Sequence, residues 1–303
     1  MQLNLREKAA SDNGQNSLDL APSLMTSDTG WYDSLDNKLT CLRDIPLLQR
    51  LRTNVFRTWG IGPTLNHSGC INRLGNVGIY VLADLTTVGF TISTKNPGWN
   101  DMLYDHYTSV IEEMHQYPNL LGFIVGEDVI TGVGTNDSGP YVKAAVRDMK
   151  ACIRHKGYRP IPIGYVDSLV SSMYTAGPSQ RGPNLANYIP EYLNCGDPSD
   201  AIDFWGFDLS LQSMSITFRL NSDYSDHHGI LILSNYSVPV FIAAYGWFAN
   251  ASFLEPASAR NISDNASDIS VLFGEQMSAI GLAVSSISSR LSQTTAPMVS
   301  THL

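Results

Sequence analysis

Two hydrophobic patterns alternate along this chain. Short, nearly continuous apolar runs occur at Val55–Ile61, Gly78–Leu85, Leu120–Val129, Ile161–Val166, Asp203–Leu209 and Val238–Gly246. Runs of this kind predict strands buried on both faces, as in a parallel sheet. Before and between them, Ile45–Arg52, Trp99–Gln116 and Tyr141–His155 repeat apolar residues every three or four positions and predict amphipathic helices, with Gly157 as the stop of the last. Strand and helix in regular alternation imply parallel strands joined by crossover helices.

Gly281–Ile287 predicts a seventh strand, weakened by its Ser-rich end. Seven is one short of an eight-stranded closed cylinder, which usually needs about 250 residues, a length this 303-residue chain accommodates. The expected architecture is therefore an α/β, (β/α)8 barrel whose first strand is missing or irregular. Its natural place is before Cys41, where Ser17–Asp36 offers only Leu18–Leu24, interrupted by Pro22. Residues 1–30 read as an irregular polar leader, 31–291 as one barrel domain and 292–303 as a tail.

Composition narrows the partners. A net charge of −9 with no basic cluster excludes a nucleic-acid footprint, because phosphate binding needs grouped Lys and Arg. No protein partner is implied. Cys41, Cys70, Cys152 and Cys195 include no Cys-x-x-Cys pair, so zinc or dithiol redox chemistry lacks support and a disulfide or two is expected. Asn-x-Ser sequons at Asn66, Asn136, Asn235, Asn250, Asn261 and Asn265 suggest a glycoprotein of the secretory route. The sequence itself shows no signal-peptide core, membrane span or lipid-anchor tail.

Other chemistry fades on inspection. Asp226-His227-His228 lies in a polar loop and reads as solvated, and His106 and His115 sit in a predicted helix without metal-ligand spacing. Gly132-Val-Gly134 lacks the Gly-Lys-Ser/Thr that a phosphate loop requires, and no Gly-x-Ser-x-Gly elbow exists for serine hydrolysis. No metal or cofactor is implied.

A longer series of motifs is specific. Cys41-Leu-Arg-Asp-Ile-Pro-Leu-Leu-Gln, Thr53-Asn-Val-Phe-Arg-Thr-Trp59, Asn66-His-Ser-Gly-Cys70, Leu121-Gly-Phe123, Val142-Lys-Ala-Ala-Val-Arg-Asp-Met149, Ile161-Pro-Ile-Gly-Tyr165, Tyr192-Leu-Asn-Cys-Gly196, Asp203-Phe-Trp-Gly206 and Pro239-Val-Phe241 with Tyr245-Gly246 follow one another over roughly residues 40 to 250. In order and spacing they resemble the catalytic domain of the fungal β-1,3-glucanosyltransferases, retaining enzymes that elongate cell-wall glucan and are usually glycolipid-anchored at the cell surface. The resemblance implies a barrel with its site at the carboxyl ends of the strands, a Cys41–Cys70 disulfide, β-1,3-glucan as the ligand, and a surface or secreted location. Ser213 and Trp247 stand at two of the family's other cysteine positions, leaving Cys152 and Cys195 without assigned partners.

The same resemblance exposes a gap. Retaining transfer needs two carboxyl groups about 5–5.5 Å apart, one attacking and one acting as acid then base. The family's acid/base glutamate falls on Asp128, which is one methylene short, and Glu127 replaces the preceding asparagine. The nucleophile position is Ala244, which cannot form a glycosyl-enzyme. Arg57, which the resemblance places beside that nucleophile, is expected to turn to Asp84, Glu127, Asp128 or water. Ser210 replaces a substrate-contacting tyrosine, while Trp59, Tyr165 and Tyr245 remain as candidate sugar contacts. Three readings follow: a family member whose transfer activity is lost or weak, a non-catalytic glucan-binding pseudoenzyme, or a decayed or misassembled gene product.

Overall fold

The computed structural model describes residues 33–50, 52–130, 138–167, 185–210, 238–246 and 283–284. In chain order the elements are α1 (Lys38–Arg50), β1 (Val55–Thr58), α2 (Ser68–Asn76), β2 (Tyr80–Asp84), α3 (Asp101–Met114), β3 (Leu120–Glu127), α4 (Gly139–His155), β4 (Ile163–Asp167), α5 (Leu185–Asn194), β5 (Phe204–Ser210), β6 (Val240–Gly246) and β7 (Ala283–Val284). Among the described residues, the seven strands form one sheet in sequential order, and every neighbouring pair is parallel. The expected site of an earlier strand, Leu18–Leu24, lies outside the described residues.

Local chemistry explains where elements begin and end. Asn37 opens α1, its Oδ1 accepting from the backbone N–H groups of Leu39 (2.9 Å) and Thr40 (3.3 Å). The helix thus starts seven residues before the apolar periodicity predicts, and Pro46 sits inside it. Asn100 caps α3 through Leu103 N–H at 3.0 Å. Gly157, at φ +70°, closes α4 where the sequence predicts a stop. β1 ends earlier than predicted, at Thr58, because the chain turns through Gly60 at φ +68°.

The sheet separates two apolar layers. Val81, Ala83, Phe123, Val125, Ile163, Tyr165, Trp205 and Phe207 pack with helix residues such as Ile71, Leu74, Tyr107, Val110, Val142 and Met149. The alternate strand positions Leu82, Ile124, Val166, Phe204 and Ala243 form a second cluster with Val55 and Phe241. Among the described residues, no helix side chain enters that cluster. Helices on one face, with strands in sequential order, are what a sheet curling around its own inner face requires; a doubly wound sheet would carry helices on both faces.

The inner layer fits because glycine alternates with large rings. A Cβ on Gly164 would stand 2.1 Å from a Phe204 ring carbon, and one on Gly206 would stand 2.7 Å from Phe241. Gly164→Ala is expected to cost about 1–3 kcal/mol, the usual range for overpacking. Phe204→Leu in the same chain should return part of that loss, as urea unfolding of the single and double variants would show.

Cys41 and Cys70 form a disulfide with Cα atoms 5.6 Å apart, tying α1 to α2. Cys152, buried, and Cys195, exposed, are free thiols. Among the described residues no helix is long and apolar enough to cross a membrane.

Candidate functional site

At the carboxyl ends of β1, β2 and β3 lies a buried charge network. Arg57 follows Val55 by two residues on β1, so strand alternation turns it to the inner face. Its guanidinium is fully buried and meets Asp84, the last residue of β2, through Nε–H to Oδ1 (3.1 Å) and Nη2–H to Oδ2 (2.8 Å). Such a two-pronged pair fixes both orientation and charge. Asp84 is likewise fully buried.

Glu127 completes the network from β3. Its Oε1 accepts from Arg57 Nη1 at 3.4 Å, its Oε2 lies 3.2 Å from Nη2, and Trp59 Nε1–H donates to Oε2 at 2.9 Å. The Arg57 guanidinium also sits over the Trp59 ring, 4.7 Å from its centre. The side chain of Glu127 keeps about a quarter of its surface exposed, so this carboxylate is the network's outlet to solvent.

Strict alternation would have sent Glu127 to the helix face with Val125. An irregularity in the β3–β4 ladder prevents it: Ile124 pairs with Gly164, yet Glu127 pairs with Val166, an inner-face residue. The extra residue in β3 is a bulge, a feature that re-aims side chains at strand ends. Asp128 follows at φ +52°, in the left-handed region that Asp tolerates better than most residues. Its N–H still reaches Val166 O at 3.2 Å.

Tyr165, expected as a sugar contact, is placed elsewhere. It is fully buried on the helix side of β4, and its hydroxyl oxygen accepts from the N–H groups of Val129 and Ile130, both at 2.9 Å. It anchors the segment after β3 and offers no surface to a ligand. Burial, with the Asp167 charge next, raises its hydroxyl pKa well above the ordinary value. Asp167, which sequence reasoning missed, closes β4 almost wholly buried, and among the described residues neither carboxyl oxygen has a hydrogen-bond partner. Burial first, and then the charge of Asp128, push its pKa well above the usual carboxylate range.

The remaining positions lie at the same end of the sheet. Ala244 stands in β6, two residues before its end, and pairs in register with Asp208 of β5, and Tyr245 pairs with Leu209. The β5–β6 ladder is irregular just before this point, since Phe207 pairs with Ile242. Positions 127, 128 and 244 thus share the carboxyl ends of parallel strands. Among the described residues, no group of three or more His, Cys, Asp or Glu could hold a metal ion.

The comparisons with known proteins meet this geometry. A family model described as "Glucanosyltransferase" matches residues 16–281. The chain belongs to the glucanosyltransferase family. A 1,3-beta-glucanosyltransferase of Arthroderma benhamiae is 36% identical over 225 residues, covering 73% of this chain and 38% of that protein. The 1,3-beta-glucanosyltransferase gas1 of Schizosaccharomyces pombe is 34% identical over 221 residues, with the same two coverages, 73% and 38%. Saccharomyces cerevisiae Gas2p, solved in complex with laminaritriose and laminaritetraose, superposes with a TM-score of 0.69 at 31% identity, over 87% of this chain and 55% of that one. The chain therefore spans about two fifths of the length of the curated glucanosyltransferases it matches.

Proposed function

We propose that this glucanosyltransferase-family chain binds β-1,3-glucan at the carboxyl ends of its strands, in fungal cell-wall glucan remodelling, and has lost most or all transfer activity. In this reading the sheet closes as an eight-stranded barrel, the protein works at the cell surface or after secretion, and its sequons carry N-glycans. The observation that carries it is the fate of the carboxylates. Glu127 is engaged by Arg57 and Trp59, while the position that the resemblance assigns to the nucleophile is alanine.

Chemistry makes the two halves of the reading separable. Ala244 offers no atom that can bond an anomeric carbon, and removing a covalent catalyst typically costs on the order of 10⁴–10⁶-fold in rate. Binding makes no such demand. It needs a groove with polar and aromatic groups, which Trp59, Glu127 and Asp128 supply here, with Tyr245 as a further candidate. That Gas2p was solved with laminari-oligosaccharides supports β-1,3-linked glucose as the ligand.

Calorimetric titration with laminari-oligosaccharides tests binding, and an elongation assay on the same sugars tests transfer. Saturable heat with no product longer than the donor is the expected outcome. Efficient elongation would refute the loss of transfer; absence of both heat and any melting-temperature shift at saturating sugar would refute binding. Trp59→Ala should weaken binding at least tenfold, about 1.4 kcal/mol, by removing both the indole face and its hydrogen bond to Glu127.

A further inference from the structure

One histidine is built into the structure in a way that fixes its charge. His67 is fully buried, yet Nε2 lies 2.8 Å from Asp33 Oδ2 and Nδ1 lies 2.9 Å from Glu113 Oε1. A neutral imidazole has one N–H and one lone pair, so it can satisfy only one of two carboxylate acceptors. With both carboxyls ionised, both contacts are hydrogen bonds only when both nitrogens carry protons. The two distances fit an imidazolium bridging two carboxylates.

The surroundings bear this out group by group. Asp33 comes from the turn before α1, where its Oδ1 also accepts from Leu35 N–H at 2.9 Å. Glu113 comes from α3, and its Oε1 also accepts from the Tyr117 hydroxyl at 2.9 Å. From α2, the one charged side chain, Arg73, donates instead to Gly69 O. Lys38 of α1 lies along Gly69 through its aliphatic stem. Desolvation by burial lowers the pKa of His67, but hydrogen bonds and charge from Asp33 and then Glu113 more than reverse this, and the net direction is up from 6.5.

This bridge connects to the site. Asp33 Oδ2, which holds His67, also accepts from Gly62 N–H at 2.7 Å. Gly62 lies in the 59–67 loop that leaves β1 and begins with Trp59. Beside Asp33, Ser34 Oγ is 3.0 Å from Thr58 Oγ1 at the end of β1. The loop is thus gripped at its far end by His67 and in its middle by Asp33, and its near end places the indole on Glu127.

We infer that Asp33, His67 and Glu113 form a protonation-dependent clamp, and that His67 and Asp33 are positioning residues for Trp59 at the candidate site. Loss of one imidazole proton turns one of the two hydrogen bonds into a lone pair facing a carboxylate. The clamp then opens on the Asp33 side or the Glu113 side, and the loop relaxes. The Cys41–Cys70 disulfide holds α1 to α2 in either protonation state, which confines the change to the loop, the turn and α3.

The sign follows from the raised value. The clamp's contribution is fully present below the unfolded-state value of 6.5 and is lost as pH rises through the higher value of the folded protein. The experiment is a titration of the whole chain from about pH 5 to about pH 9, spanning the usual histidine range, followed by ¹⁵N NMR. It tracks the His67 ring nitrogens and the Trp59 indole N–H, the latter assigned with Trp59→Phe. Both signals should move with one shared midpoint above 6.5, and the melting temperature should fall through the same interval. His67→Gln should flatten the indole titration and the fall in melting temperature. Glu113→Gln, a milder change, should lower the shared midpoint and leave the chain folded. A stationary indole signal while His67 titrates would overturn the link to the site, and a His67 midpoint at or below 6.5 would overturn the clamp.

Discussion

Restoring three side chains together should restore glucan transfer. The variant Ala244→Glu, Asp128→Glu, Glu127→Asn is expected to elongate laminari-oligosaccharides at least about 10⁴-fold faster than the natural chain, the scale on which loss of a covalent catalyst is felt. Ala244→Glu supplies the attacking carboxylate. Asp128→Glu extends the acid by one methylene, and a misplacement of about 1 Å can cost on the order of 100-fold. Glu127→Asn matters for a different reason. Arg57 already serves Asp84 and Glu127, and the resemblance puts position 244 beside the same guanidinium. A third carboxylate there raises the pKa of at least one of them and blunts the new nucleophile. The single Ala244→Glu variant should therefore gain far less than its share of the triple, a non-additivity expected of residues in one network. Chromatography of products longer than the donor reads the result. A triple variant that folds and binds sugar, yet makes no longer product, would refute the assignment of these positions.

Much of the fold was legible because parallel strands buried on both faces read as continuous apolar runs, and six such runs became β1 to β6 with their centres in place. Two helices were not legible. α2 carries Gly69 and Gly75 within nine residues and owes its place to the buried face of Cys70, Ile71 and Leu74 and to the disulfide. Residue propensity alone argues against it. α5 contains Pro190, which likewise hides a helix from pattern reading. At the site, the partner of Arg57 was legible as chemistry: a buried cation must find a carboxylate, and Asp84 and Glu127 were among those in reach. The bulge that turns Glu127 inward was not, because an extra residue in a ladder leaves no mark on apolar alternation. Tyr165 misled for the opposite reason. An aromatic two residues before a strand end looks the same whether it lines a groove or pins a loop, and only the positions of Val129 and Ile130 N–H decide between them.

Asp84→Asn should be the most damaging single substitution among the network residues. It removes the charge that faces Arg57 at 2.8 Å inside the sheet, where both side chains are fully buried. Water cannot replace it there, and breaking a buried pair from one side typically costs about 3–5 kcal/mol; Glu127, 3.2 Å from Arg57 Nη2, still offsets part of the guanidinium charge, so the loss is expected at the lower end of that range. Glu127→Gln should cost less, about 1–2 kcal/mol, the scale of a hydrogen bond to a charged group. Its side chain is about a quarter exposed, so solvent shares the load, and Trp59 Nε1–H still finds an amide oxygen. Urea unfolding measures both, and equal losses would show that the network does not grade with burial as described. The sharper comparison removes both partners at once: Arg57→Met with Asp84→Leu eliminates the desolvated charges together, and should leave the chain more stable than Asp84→Asn does. If the double apolar variant is instead the less stable, then Arg57 and Asp84 hold the strand ends through packing and further contacts, and charge compensation is not what keeps Glu127 at the mouth of the sheet.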